Sequence, residues 1–375
     1  MKLQRMNRRA LTLGALAVSG ALALTACGSD DTGGGTDATG SATTNANSTI
    51  KCDDAKGQLL ADGSSAQKNA IDAWVKAFTA ACSGVQINYK GGGSGAGVTA
   101  FTQGTVAFAG SDSALKPDEV TASKSVCTGG TAIDLPAVGG AIALAYNLPG
   151  VDNLVLDAPT LAKIFDSKIK TWDDAAIKAL NPGATLPSTK IQPFHRSEDS
   201  GTTDNLTKYL IATTPENWKY EGGKAWQAEG GQAASGSAGI AAGVKQTEGA
   251  IGYMEQSYAK DLSTVAIDTG ASAPVKPSSD GATKAIAAAQ VVGTGNDYSL
   301  KLDYKTKADG AYPITLVTYE IVCDKGNKAD TLPATKAFLR YITSEDGQGI
   351  LSGIDYAPIP ADIIAKVRTT VESLA

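Results

Sequence analysis

The chain has 375 residues, 42% of them hydrophobic and 19% charged, with 42 glycines, a single histidine and a formal net charge of −5. This composition excludes collagen-like and globally disordered chains and a strongly basic nucleic-acid footprint, and it leaves little room for chemistry built on histidine. The length allows two or three compact units with sizeable cores.

In chain order, residues 1–26 read as an export signal. Lys2, Arg5, Arg8 and Arg9 form a basic start, an apolar run covers 11–23, and Leu24-Thr25-Ala26-Cys27 follows. The run is too short for a spanning helix. A cysteine directly behind it resembles a bacterial lipobox, which implies cleavage before Cys27 and thioether lipidation of its sulfur. An ordinary signal with an incidental cysteine is the alternative, and Asn7-Arg8-Arg9-Ala10-Leu11 leaves the twin-arginine export route open beside the general one. The leader carries four basic and no acidic residues, so cleavage leaves 29 basic against 38 acidic residues, a net of −9. Residues 27–50 are rich in Gly, Ser, Thr, Asp and Asn and nearly free of apolar side chains. They are expected to form a flexible tether with a mean reach of about 26 Å.

Residues 57–62 read as a strand. Gly63-Ser64-Ser65 then turns into a helix over 66–81, with Ile71, Trp74, Val75 and Phe78 on one face. Ser64 or Ser65 stands where an N-cap belongs. A strand at 85–89, a Gly-rich loop at 91–97, a short helix at 98–104 and a strand at 106–109 lead to Gly110-Ser111-Asp112-Ser113. An apolar strand is expected at 141–146, and helices near 160–165 and 173–179. A strand at 191–194 delivers His195-Arg196-Ser197-Glu198-Asp199-Ser200-Gly201-Thr202-Thr203 to a helix that runs to about residue 211. Strands at 250–254 and 313–322 and helices at 285–289, 336–342 and 363–374 complete the pattern. Alternating strands and helices predict an α/β architecture in two units, and no fixed-period repeat appears.

Beyond Cys27 the sequence holds Cys52, Cys82, Cys127 and Cys323, with no C-x-x-C spacing. An even number in an exported chain favours two disulfides, and three connectivities are possible. Cys52 precedes the first predicted strand and Cys82 follows the next helix, so a Cys52–Cys82 bridge is geometrically easy. That pairing leaves Cys127–Cys323. Free buried thiols are the alternative.

Three strand-to-helix turns share one character: Gly63-Ser64-Ser65, Gly93-Ser94-Gly95-Ala96-Gly97 and Ser200-Gly201-Thr202. Helix starts present unpaired N–H groups and the positive end of the helix dipole. Glycine lets an oxyanion approach that backbone, and Ser and Thr add hydroxyl donors. Each turn alone is more often a plain cap or loop. Together, with Arg196 four residues before Ser200, they point to a dehydrated tetrahedral anion held by hydrogen bonds. Glu198 is placed to hold Arg196 from the side; a surface ion pair is the plainer reading of Arg196. Asp112 suits such a site only if the ligand carries a proton for its carboxylate to accept, as HPO₄²⁻ and H₂PO₄⁻ do and sulfate does not. By itself Asp112 reads as a turn or cap residue.

These segments, together with Tyr89, Gly104-Thr105-Val106, Thr171-Trp172-Asp173-Asp174 and Ala250-Ile251-Gly252-Tyr253, resemble the periplasmic-type phosphate-binding proteins of the Pst ABC transporter over about 57–359. The resemblance implies a two-lobed periplasmic-binding-protein fold, α/β in both lobes, that closes on one inorganic phosphate between them. The implied phosphate ligands are Ser65, Ala66, Ser94, Asp112, Arg196, Ser200, Gly201 and Thr202, with Glu198 as the acidic partner of the arginine. Many relatives carry an aromatic residue followed by proline in the first turn where this chain has Ala66-Gln67. The backbone donor survives that change, and Ser64 rivals Ser65 as the hydroxyl.

The resemblance further implies two crossings between lobes, near 141–143 and 311–314. Lobe I is then 51–141 with 314–375, and lobe II is 142–313. The implied protein is a monomeric, lipid-anchored binding protein on the outer face of the cell membrane that delivers phosphate to permease subunits, without cofactor, metal or nucleic acid. A serine-type phosphatase or hydrolase is the enzyme alternative, but Gly92-Gly93-Ser94-Gly95-Ala96 lacks the last glycine of G-x-S-x-G and only His195 could act as base. The P-loop pattern is absent. A binding protein for another tetrahedral oxyanion is the nearest rival in ligand.

Overall fold

The computed structural model describes residues 49–375; the export signal, Cys27 and nearly all of the expected tether lie outside the described residues. In chain order the first elements are β1 (Gly57–Gly63), α1 (Lys68–Ala81), β2 (Val85–Tyr89), α2 (Ser94–Thr102), β3 (Phe108–Ser111), α3 (Pro117–Ser123) and β4 (Ala132–Tyr146). Next come β5 (Val155–Asp157), α4 (Ala158–Phe165), α5 (Ala175–Leu180), β6 (Gln192–Arg196), α6 (Gly201–Thr213), β7 (Gln232–Ala234), α7 (Gly236–Gln246) and β8 (Ala250–Glu255). The remainder is β9 (Ser263–Thr264), β10 (Ala266–Asp268), α8 (Ser279–Ala287), β11 (Gln290–Val291), β12 (Leu300–Lys301), β13 (Thr315–Cys323), α9 (Leu332–Ile342), α10 (Glu345–Gly349) and α11 (Ala361–Ser373).

The principal sheet has nine strands in the order β2-β1-β3-β13-β4-β8-β6-β7, with β9 beside β4. β1 pairs in parallel with β2 and β3, and β6 pairs in parallel with β7 and β8. β4 joins the two groups by changing partner: its residues up to Ala141 pair with β13, and Ile142 to Tyr146 pair with β8. The Ile142 amide also donates to the Ile314 carbonyl at 2.8 Å, which brings the two predicted crossing points together.

Every residue of β4 and of β13 is buried, so neither strand shows the alternation that marks a sheet with one wet face. The sequence places the start of the first strand at 141, nine residues later than the structure does. Pro136, Gly139 and Gly140 read as breakers, yet Pro136 stands beside a register irregularity where a ladder tolerates proline. Gly139 packs closely, since an added Cβ would lie 2.1 Å from the Ile286 Cδ1 and the isoleucine tip would have to move.

Of the expected α1 face, Ile71, Trp74 and Phe78 are buried, joined by Ala70, while Val75 is only half-buried; Trp74 Nε1 donates to the Gly347 carbonyl at 2.7 Å. The helix starts later than predicted, with Gln67 at the N-cap position and no side-chain cap. Ser64 Oγ instead accepts the Ala66 amide at 3.0 Å, turning the chain before the helix begins. Helix α2 takes up half of the predicted Gly-rich loop. Both disulfides of the favoured pairing are present, Cys52–Cys82 and Cys127–Cys323.

Candidate functional site

The parallel strands end at the turns that the sequence singles out. β1 leads to Ser64-Ser65, β3 to Asp112 and β6 to Arg196, while β2 and the following loop lead to Ser94 at the start of α2. Open α/β sheets bind ligands at such carboxyl ends, where the strand order reverses.

Arg196 lies at the centre. It is 2% exposed, and its guanidinium makes four contacts with three side chains. Its Nη2 donates to Ser65 Oγ at 2.7 Å and its Nη1 to Thr202 Oγ1 at 3.3 Å. Its Nε donates to Glu198 Oε1 at 2.8 Å, and Nη2 forms a short contact with the same oxygen. Glu198 Oε1 also accepts the Gly236 amide at 3.1 Å. Partial burial acts to raise the Glu198 pKa, but the Arg196 charge and these hydrogen bonds outweigh it and hold the carboxylate below its ordinary range. Tyr253 OH accepts the Arg196 amide at 3.1 Å and shares a 2.6 Å hydrogen bond with Thr203 Oγ1, so the strand end is fixed as well.

Ser94 ties the two groups of strands from the other side. Its hydroxyl accepts the amides of Asp112 and Gly201, each at 3.1 Å, and lies 3.5 Å from Asp112 Oδ2. The Asp112 carboxylate accepts Thr318 Oγ1 at 2.8 Å on Oδ1 and Thr202 Oγ1 at 3.4 Å on Oδ2. Burial raises the Asp112 pKa. Hydrogen bonds from Ser64, Thr318 and Thr202 and the nearby Arg196 charge oppose that rise without cancelling it.

Close approach explains the glycines. A Cβ on Gly201 would lie 2.6 Å from Asp112 Cβ and 2.7 Å from Ser94 Oγ. A Cβ on Gly95 would lie 2.4 Å from Asp199 Cβ, and the Gly95 amide donates to the Asp199 carbonyl at 3.0 Å. Ser200 is the N-cap of α6, its Oγ accepting the Thr203 amide at 3.4 Å.

The structure thus joins Ser65, Ser94, Asp112, Arg196, Glu198, Gly201 and Thr202 in one buried hydrogen-bonded cluster. Ser200 caps the helix that presents two of them. Of the two candidate hydroxyls in the first turn, Ser65 faces Arg196, while Ser64 turns to the Ala66 amide and neighbours Asp112. The Ala66 amide therefore has a protein acceptor in this arrangement.

Sequence reasoning missed several participants. Ser237, at the start of α7, donates its amide to Ser65 Oγ at 3.1 Å, and Tyr258 OH donates to the Ser65 carbonyl at 2.9 Å. Ser235-Gly236-Ser237 is another Gly/Ser turn before a helix, the same signal that marked the other three. Thr318 was detectable as one of the few polar positions in the apolar run of β13.

His195 does not serve these hydroxyls. Its ring stacks on Trp226 with centroids 5.1 Å apart, and Nδ1 lies 3.0 Å from the Arg196 carbonyl. Among the described residues there is no group of three or more His, Cys, Asp or Glu arranged to hold a metal ion.

Comparison with known proteins bears on the fold and the family. Residues 38–346 match the model of the PBP superfamily domain. Phosphate-binding protein PstS 3 of Mycobacterium tuberculosis is 42% identical, across 99% of this chain and 100% of its own length. PstS 2 of the same organism is 39% identical across 96% and 97%, and PstS of Xylella fastidiosa is 32% identical across 80% of each. Among solved structures, a high-affinity periplasmic phosphate-binding protein (PfluDING) bound with phosphate superposes with a TM-score of 0.68 at 21% identity, covering 84% of this chain and 93% of that one. A phosphate-binding protein from Stenotrophomonas maltophilia gives 0.67 at 18% identity, covering 84% and 93%. These structures establish the two-lobed α/β fold.

Proposed function

The chain belongs to the PstS family of phosphate-binding proteins within the PBP superfamily, and from that premise we propose that it captures inorganic phosphate outside the cytoplasm for import by an ABC transporter. The family is one of transport proteins and not of enzymes. The observation that carries the proposal is the convergence of Ser65, Thr202 and Glu198 on the buried Arg196 guanidinium, beside Ser94 and Asp112.

Phosphate capture exchanges several of these protein–protein hydrogen bonds for bonds to ligand oxygens. Arg196 offers two parallel N–H groups, and Ser65, Ser94, Ser200 and Thr202 offer hydroxyls. The amides of Ala66, Gly201 and Thr202 complete the donor set, helped by the helix dipoles. Asp112 is the acceptor for the proton on phosphate. Sulfate has no such proton and would leave a buried carboxylate facing an anion. With a net of −9 after leader removal, the fixed donors and not the overall field attract the anion.

In this reading residues 51–141 with 314–375 form lobe I and 142–313 form lobe II. Arg196, Glu198, Ser200, Gly201 and Thr202 come from lobe II, and the remaining ligands from lobe I. Both disulfides then lie within lobe I and leave closure free. Cys27 carries the lipid that holds the monomer at the outer face of the membrane, and the permease subunits receive the phosphate.

Isothermal titration of the protein, cut free just after Cys27, with phosphate, sulfate and arsenate tests the function. Saturable binding of phosphate and arsenate with sulfate excluded is expected. Preference for sulfate would give the site to another tetrahedral oxyanion.

A further inference from the structure

Asn205 stands one turn into α6 and is 3% exposed. Its Nδ2 donates to the Asp112 carbonyl and to the Gly201 carbonyl, both at 2.8 Å. Its Oδ1 accepts Tyr304 OH at 2.6 Å. Asp112 bears the carboxylate that Thr318 and Thr202 hold, and Gly201 opens the helix that presents its amide to Ser94. One amide group therefore fixes the distance between the turn after β3 and the first turn of α6.

An amide has distinct ends, two donors on nitrogen and an acceptor on oxygen. Reversing Asn205 would set its oxygen against two carbonyl oxygens and its nitrogen against the Tyr304 hydroxyl. That hydroxyl, brought in by the segment between β12 and β13, makes the observed orientation the one in which all three bonds form. A buried amide satisfied on both ends is costly to disturb.

We propose that Asn205 is a positioning residue for ligand capture, setting Asp112 against the anion-binding start of α6, and that Tyr304 acts through it by orienting the Asn205 amide. The inference rests on the phosphate-capture reading but names residues outside the ligand set. Neither side chain touches the ligand in this account. Their effect is on how firmly the closed arrangement is held, and on how accurately Asp112 meets the proton of phosphate.

The test is a double-mutant cycle on the full mature chain, using Asn205→Asp, Tyr304→Phe and the pair. Phosphate affinity and release rate are read by titration and stopped-flow, with sulfate as competitor and thermal melting to confirm folding. Asn205→Asp should weaken phosphate binding about tenfold, mainly through faster release, and should lower the phosphate-to-sulfate preference. Tyr304→Phe should weaken binding a few-fold in the same direction. The pair should be no weaker than Asn205→Asp alone, because both act through one amide. Full affinity and preference in the folded variants, or strictly additive losses, would overturn the inference. If Asn205→Asp fails to fold, an unchanged Tyr304→Phe still overturns it. Wild-type protein that binds no phosphate would overturn the capture reading along with it, whereas wild-type binding with unaffected variants would overturn this inference alone.

Discussion

Arg196 Nη2 and Ser65 Oγ, 131 residues apart in sequence, meet at 2.7 Å. The same hydroxyl accepts the Ser237 amide, so Ser65 joins β1 to the two helix-bearing turns on the far side of the sheet. A lysine in place of Arg196 keeps the charge but cannot engage Ser65, Thr202 and Glu198 together. Arg196→Lys is expected to cost ten- to a hundredfold in phosphate affinity, about 1.5–3 kcal/mol for charge-assisted hydrogen bonds. Isothermal titration checks this, and an unaltered isotherm would remove Arg196 from the ligand set.

Asp112→Asn replaces an acceptor-only carboxylate with a group that also donates. Thr318, now on Oδ1, can still donate to its single oxygen, and the Thr202 hydroxyl can accept from its nitrogen, so the turn should persist. Phosphate should bind more weakly and sulfate more tightly, narrowing their ratio by at least tenfold. Competition titration of the two anions reads that ratio directly, and a ratio equal to that of wild type would show that Asp112 does not sense the proton.

Glu320 is fully buried beside Gln67 and Asp112, and neither carboxyl oxygen has a hydrogen-bond partner. Burial raises its pKa most, the neighbouring Gln67 amide opposes that rise and the Asp112 charge adds to it, so the carboxyl is pushed up to about 8. The unfolded chain releases this proton near pH 4.5 and the native state retains it until about 8. Between those values the native state binds more protons, so the contribution of Glu320 to stability is fully present at low pH and is lost as pH rises. Glu320→Gln should therefore match wild type most closely near pH 4 and gain in relative melting temperature toward pH 8, by a few degrees or more. Melting curves across that range decide it, and a difference independent of pH would contradict the assignment.

Cys27→Ala should move the protein from the membrane fraction to the soluble fraction in cells that export it. Fractionation and detection of the bound lipid by mass would show the change. Retention of the variant on membranes would point to an anchor other than the Cys27 sulfur.

Most of the hydrogen-bonded cluster was legible because it is local in sequence: Ser64-Ser65, Ser94 and 196–203 each carry their chemistry in a short Gly- and hydroxyl-rich turn. Asp112 was legible through its mismatch with an anion site. The roles of Asn205, Tyr253 and Tyr304 were not, because they come from contacts over long sequence separations, and Thr318 left only the faint signal of a polar position in an apolar strand. Asn205 lies mid-helix among ordinary helix residues, and Tyr304 in a loop without a motif. The sheet was harder to read than the helices. β4 and β13 are buried from end to end, so their length is set by neighbours on both faces rather than by alternation. Helix α7 was hidden by its glycines, of which Gly243 packs so closely that an added Cβ would lie 2.5 Å from the Phe194 ring.

The Cys127–Cys323 bridge spans 196 positions. Everything from the start of β4 to the end of β13 is therefore a single covalently closed loop, and Arg196 and the whole of α6 lie within it. A protease that nicks the backbone once anywhere inside would leave both fragments joined as one molecule, separable only under reducing conditions. The closure also shortens the search that brings β4 and β13 together on refolding, since their ends never part.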